Sequence, residues 1–173
     1  MQSDCRERTR DKNMRTPPTI LEFIWALPAS IIGWLFLGFL SLFRQIDDFE
    51  IRRGFVFCWD VKNDGWFYRN SLKSGKWGGF CIGNNIVIVD LYPLSKYART
   101  YTHEYEHVRQ NFKLGPLFYP LYILESLYIF ICMPKQHSYY DNCFEKAARK
   151  AAGQKIEIPR SEWKDPNDRW AWW

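Results

Sequence analysis

The chain contains no Cys-x-x-Cys pair, and its five cysteines (Cys5, Cys58, Cys81, Cys132 and Cys143) are odd in number and widely spread. That spacing argues against a disulfide framework and for free thiols in a reducing compartment. No run of Lys and Arg is interleaved with aromatics. The net charge of +5 is spread over mixed acidic and basic residues. Such a balance permits weak attraction to anionic lipid but is too dilute for a nucleic-acid footprint, so no nucleic-acid partner is expected. No internal repeat is visible. Charge is missing altogether from Phe23 to Phe43, and histidine is scarce, with three in 173 residues.

What is present suits one compact domain with attached segments. A chain that is 47% hydrophobic and 25% charged folds rather than staying disordered. Aromatics make up 18% of it, nine of them tryptophan, which implies an aromatic core or a face that meets membrane. Four segments follow from the pattern: a polar tail (1–17), an apolar helix (18–46), a folded domain (47–153) and a Trp-rich C-terminal tail (154–173).

A helix over the uncharged run would reach about 30 Å, the thickness of a bilayer core. Membrane association through residues 20–43 is therefore expected, with Pro28 starting or kinking the helix. A secretory signal fits poorly, because the apolar run is too long and no small-x-small cleavage site follows. Arg6, Arg8, Arg10, Lys12 and Arg15 precede the run while Arg44, Arg52 and Arg53 follow it, so charge bias does not orient it. With the thiols free, a membrane-associated protein whose domain faces the cytoplasm is the expected location.

From about residue 54 the pattern becomes extended. Short β-branched or aromatic stretches at 54–59, 65–68, 79–82 and 86–89 are bounded by Gly, Asn, Asp and Ser, with turn signals at 62–65 and 83–85. Three or four strands joined by hairpins are expected. Ser95 offers an N-cap for a helix over 96–113, stopped by Gly115-Pro116. The apolar run 117–133 contains Glu125 and reads as a core helix packing against the first apolar segment. A last helix is expected over 139–152, ended by Gly153. The fold class is α+β: a small antiparallel sheet of three to four strands, the helix over 96–113, further helices, and an apolar N-terminal helix. The tail tryptophans, Trp163, Trp170, Trp172 and Trp173, form either a docked cover or an interfacial anchor.

The chemistry concentrates in His103-Glu104-Tyr105-Glu106-His107. Histidines four apart on a helix leave the same face, so both imidazoles can meet one ion. Zinc suits neutral imidazole nitrogen, and a catalytic zinc site takes three protein ligands plus an open position. Glu104 can then accept a proton from a water whose pKa the metal lowers, as that water attacks a carbonyl. The third ligand must come from elsewhere. Glu145 on the last helix is the favoured candidate, since Ala147, Ala148, Ala151 and Ala152 let that helix approach closely; His137 and Asp141 compete for the role. Gln110, one turn along the histidine face, and the group His137, Tyr139 and Tyr140 are candidates to orient a ligand or to donate a hydrogen bond to a developing oxyanion.

The run Thr102-His103-Glu104-Tyr105-Glu106-His107-Val108-Arg109-Gln110 is followed by Leu114-Gly115-Pro116-Leu117 and later by Tyr139-Tyr140, Glu145 and Ala148. With the early Leu27-Pro28 pair, it resembles small metallopeptidase-like proteins of bacteria and phages. Those are similar to gluzincins, whose third zinc ligand is a downstream glutamate. The resemblance covers roughly residues 20 to 153. It implies zinc held by His103, His107 and Glu145, with Glu104 as base, and peptide or protein as substrate. Two positions depart from the pattern. Glu106 stands where those relatives usually have Gly, and is expected to narrow the cleft or orient a ligand. Arg149 stands where many gluzincins have an Asp that holds a ligand histidine, leaving Asp141 as the candidate substitute. The expected function is zinc-dependent hydrolysis of peptide bonds. The alternative is a catalytically inactive protein of zincin fold with a structural or interaction role at the membrane.

Overall fold

The computed structural model describes residues 18–62, 64–72, 78–88 and 94–163. The polar tail 1–17, the turn residue Asn63, Val89 and the tryptophans at 170, 172 and 173 lie outside the described residues.

Thr19 begins the first helix. Its hydroxyl accepts from the Glu22 backbone N–H (3.3 Å) and its own N–H donates to the Glu22 carboxylate (2.7 Å), a reciprocal pair that satisfies two orphan donors. Helix α1 then runs Ile20–Leu42 straight through Pro28, which neither starts nor ends it. The helix stops at Leu42 rather than extending to residue 46, because Arg44 takes a left-handed backbone (φ 52) and the chain turns into a strand.

Strand β1 (Ile46–Arg52) is an addition to the expected set. Its sequence, IDDFEIR, lacks the apolar alternation of a half-buried strand, and the structure explains why: it is an edge strand exposed along most of its length. A tight turn at Arg53 (φ 56) and Gly54 (φ 75) returns the chain into β2 (Val56–Val61), antiparallel to β1. Residues 65–68 are not a strand. Gly65 sits against the Gln45 side chain, whose Oε1 accepts from the Phe67 N–H (3.1 Å), and the Arg69 N–H closes onto the Gly65 carbonyl (3.0 Å). These bonds wind the segment into a helical turn that sends the Phe67 ring into the core.

β3 (Gly79–Ile82) and β4 (Asn85–Ile88) form the expected hairpin, but the sheet is mixed rather than wholly antiparallel. Its order is β1-β2-β4-β3, with β4 parallel to β2. The reason is burial. Every residue of β4 is buried, so β4 takes the centre, and half-buried β3 is left at the edge.

The two faces of the sheet are covered by different helices. Leu37 and Leu40 of α1 pack with Val61, Phe67 and Val87 on one face. On the other, α2 (Leu94–Leu114) brings Tyr101, Tyr105, Val108 and Phe112 against Val56, Cys58, Ile86 and Ile88. Ser95 falls inside the first turn of α2 rather than before it. Because α1 contributes to both clusters, the apolar segment and the domain are one body. Small residues make the contact possible. At Gly33 an added Cβ would lie 2.5 Å from the Ile82 carbonyl and from the Asn85 amide. Gly83, at φ 63, would drive a Cβ into the Ser30 backbone.

After a turn at Gly115–Leu117 comes α3 (Phe118–Cys132), and after a loop α4 (Cys143–Ala151). α3 is core on one side only: Phe118, Ser126 and Ile129 are buried while the rest of its apolar surface stays open. α4 starts later than residue 139, because Asn142 caps it by accepting the Phe144 N–H (2.9 Å) and is itself held by Ser126 (2.9 Å). Trp163 is a docked cover, buried against His137 with its indole N–H on the Ile158 carbonyl. Cys58 and Cys81 are both registered with Ile86, on either side of β4. Two strand spacings, about 10 Å, separate them, and both thiols are free.

Gly83→Ala tests the α1–hairpin contact. Strain at a left-handed position alone costs about 1–3 kcal/mol, and the collision with Ser30 adds to it. Denaturant unfolding should show a loss of at least that size, whereas Gly54→Ala, in open space, should lose only the backbone share.

Candidate metal centre

α2 and α4 pack side by side, and at their crossing three side chains converge. His103 and His107 leave α2 one turn apart with rings at 78°, and Glu145 comes from the first turn of α4. All three are under 10% exposed. The Nε2 atoms of the histidines are 3.3 Å apart. His103 Nε2 lies 3.2 Å from Glu145 Oε2, and His107 Nε2 lies 3.2 Å from Glu145 Oε1.

The tautomers follow from the atoms behind the rings. Gln110 donates its amide N–H to the Phe144 carbonyl (3.0 Å), which turns its Oε1 toward His107 Nδ1 at 2.8 Å. An amide oxygen can only accept, so Nδ1 carries the proton and Nε2 presents a lone pair. His103 Nδ1 meets Gln154 Oε1 at 3.2 Å. Gln154 arrives there because Gly153 (φ 63) ends α4 in a left-handed turn and the Gln154 N–H closes back onto the Arg149 carbonyl (2.8 Å). Two imidazole lone pairs and a carboxylate therefore face one point. Neutral imidazoles and a carboxylate around a divalent ion at about 2.0–2.1 Å, in tetrahedral arrangement, have ligand atoms about 3.3 Å apart. The observed separations match, and the donor set fits a metal ion.

The electrostatics agree. Burial opposes charge on Glu145, yet the imidazoles of His107 and His103 outweigh it and hold the carboxyl well below the usual carboxylate range. Burial likewise opposes charge on His107, but the Glu145 carboxylate lifts it to about 9 when no ion is bound. The Tyr122 hydroxyl donates to Glu145 Oε1 (2.8 Å), and the Tyr139 hydroxyl also bonds that carboxylate. Glu104 stands beside the cluster, its Cγ close to Gly79 of β3. Burial pushes its carboxyl upward against the pull of His103 and His107.

Not every candidate joins the centre. His137 lies in the loop before α4, its ring tilted against Tyr140 and edge-on to Trp163, with Nδ1 accepting from the Tyr139 and Tyr140 N–H groups. Asp141 accepts from the His137 N–H (2.9 Å) and pairs with Lys146. It therefore organises the loop, and the acceptor behind His103 is Gln154 instead. Arg149 is buried and donates to the carbonyls of Tyr140 and Ile156, fastening the loop and the C-terminal segment to α4. Glu106 pairs with Arg109 on its own helix. Sequence reasoning passed over Gln154 and Tyr122. The signal for Gln154 was its place just after the helix-ending Gly153; Tyr122 was hidden inside an apolar run. Comparison with protein-family models, with curated proteins and with solved structures gives no match.

Two outcomes test the centre. The metal-free His107 pair has a raised folded pKa, so its stabilisation is complete below about 6.5 and disappears as pH rises through about 9. Binding an ion must displace that proton, so zinc affinity should rise about tenfold per pH unit from 7 to 9 and then flatten, as read by chelator competition. Gln154→Leu should weaken zinc by about tenfold or more, while Gln154→Glu, which keeps an acceptor, should not.

Proposed function

We propose that this protein is a zinc-dependent hydrolase of peptide bonds that works at a membrane, its domain on the cytoplasmic side. The observation that carries the reading is the mutual 3.2–3.3 Å spacing of His103, His107 and Glu145 with Glu104 beside them. The resemblance to gluzincin-like metallopeptidases assigns the same three ligands and the same base. Zinc bound there would supply the Lewis acidity that polarises a carbonyl and acidifies water.

The chain's own groups account for the rest. The Glu104 carboxyl, raised by burial, accepts the proton of an attacking water and returns it to the leaving amine. Gln110 and Gln154 hold both imidazoles with Nε2 inward. Among the described residues β3 is an edge strand whose Gly79 lies close to Glu104, and an extended peptide can add to such an edge by strand pairing. The free thiols Cys58, Cys81, Cys132 and Cys143 support a reducing, cytoplasmic location.

The second reading, an inactive member with a structural or interaction role, is favoured by one feature: Arg149 occupies the place of a carboxylate and neutral amides back the histidines. Purified protein should carry one zinc per chain, and His107→Ala should lose it. Glu104→Gln should keep the metal and lose roughly 10²–10⁴-fold in peptide hydrolysis. Metal retained with no hydrolysis in the wild type would select the inactive reading. A clean preparation devoid of metal would end the hydrolase reading and leave only the inactive one.

A further inference from the structure

α1 and α3 are apolar on the side turned away from the protein as well as on the side turned toward it. The buried stripe of α1 is made of small residues up to Gly33, then Leu37 and Leu40. Its other side presents Ile24, Ile31, Ile32, Leu35, Phe39 and Leu42, between 45% and 82% exposed. On α3 the outward residues Leu121, Leu124, Tyr128 and Ile131 follow three- and four-residue spacing and form one stripe. The two surfaces adjoin at the turn before α3, where Gly115 lies flush against the half-exposed Trp25 indole and Leu117 is open. An apolar surface of this extent marks a contact with a partner or a membrane.

Two helical stretches, Ile20–Leu42 and Ala98–Cys132, each contain an 18-residue window apolar enough to cross a bilayer, with mean hydropathies of 2.0 and 1.5 in those windows. Their packing argues against crossing. The middle of α1 is fastened to the polar β3–β4 turn: Ser30 accepts from the Asn84 N–H (3.3 Å), and its carbonyl accepts from the Asn85 amide (3.2 Å). A crossing α1 would carry this sheet, with the charged Asp48, Glu50 and Arg52 of β1, to bilayer depth, where charge is costly. α3 is tied from its inner side in the same way, through Tyr122 to Glu145 and Ser126 to Asn142. Its lone carboxylate, Glu125, is engaged by the Cys143 N–H (2.9 Å) at the start of α4.

Charge at the rim names the occupant. Exposed Arg44 follows α1, exposed Lys113 stands just before the turn into α3, and exposed Lys135 follows α3. The one acidic residue at the start of α1, Glu22, is engaged in the cap. Although exposed Asp47 and Asp48 follow Arg44, a cation stands next to an end of each apolar stretch, and cations beside an apolar surface are complementary to acyl chains and anionic headgroups.

We propose that α1 and α3 together form an in-plane, monotopic docking surface for an anionic bilayer, their outward stripes seated in one leaflet and neither helix crossing. α3 then separates the metal centre from lipid by one helix diameter, about 10 Å, with Tyr122 facing inward and Leu121 and Leu124 outward. The docking stands whether or not the centre hydrolyses peptides.

The full chain, reconstituted from detergent with phosphatidylcholine–phosphatidylglycerol vesicles, should float with them, and less of it should float with phosphatidylcholine alone. Leu124→Glu with Ile131→Glu should lose most of the floated fraction while zinc content and circular dichroism match the wild type. Leu35→Glu should do the same from α1. Flotation unchanged in these variants would overturn the proposal. Pro18→Cys and Phe43→Cys, placed together with Cys5, Cys132 and Cys143 replaced by Ser, should both react with a membrane-impermeant maleimide on intact vesicles, two labels per molecule. One protected end would reveal a crossing helix and overturn the in-plane arrangement. A stable dimer without lipid, abolished by Leu124→Glu, would assign the surface to a second copy and also overturn it.

Discussion

Two imidazole nitrogens and a carboxylate, held within 3.3 Å of one another in the interior, are the constraint around which the rest of this structure is arranged. Such groups cannot all be free of protons unless a cation lies among them, and a buried unpaired charge is costly. Without metal the cluster keeps a proton on His107; with metal it exchanges that proton for the ion. Either way α2 and α4 are locked together, since the ligands come from both helices. The alanines of α4 permit the close approach, and Ala148 is fully buried at the contact.

A second lock works on the opposite face of the sheet. The Asn84–Asn85 amides, Ser30 and the two glycines Gly33 and Gly83 let α1 lie directly on the β3–β4 hairpin. β3 thereby gains a fixed position beside Glu104, although among the described residues it is paired on one side only. The apolar helix thus has two functions in one sequence. Its small residues position the strand nearest Glu104, and its large ones stay exposed on the outer side.

The parts legible in the sequence were those set by local spacing. The four-residue interval of His103 and His107, the helix-stopping Gly115 and Gly153, and the β3–β4 hairpin all rest on neighbours along the chain. The misreadings came where a distant residue decides. The 65–68 stretch looks extended until Gln45, some twenty positions earlier, caps its turn. β1 carries no apolar alternation because an edge strand has little to bury. The parallel pairing of β2 with β4 depends on which strand is most apolar on both faces, a comparison across the sheet rather than along it. The apolar run of α3 reads as core because composition alone does not tell an inward stripe from an outward one. The ligand choice of Glu145 over His137 and Asp141 needed the packing of α4 on α2, and Gln154 needed the path of the chain beyond Gly153.

The amides behind the histidines bear on what kind of centre this is. A carboxylate in that place would add negative charge and raise ligand basicity; Gln110 and Gln154 orient the rings without doing either. Arg149, buried one turn beyond Glu145, adds positive charge nearby rather than negative. Among the described residues the divalent ion would meet two neutral imidazoles and one carboxylate, so the centre keeps a net positive charge. Such a centre binds its metal less tightly than one backed by carboxylates, yet polarises a carbonyl more strongly, because less ligand charge offsets the ion. In the proposed hydrolase Glu104 would matter twice, as the proton acceptor and as the nearest negative charge left to balance the site. Its burial keeps it from being neutralised by solvent cations, and the two imidazoles keep its carboxyl from rising as far as burial alone would take it. Under the proposed function, catalytic competence would rest on that balance, which is set by the packing of Glu104 near Gly79 of β3 as much as by the His-Glu-Tyr-Glu-His motif itself.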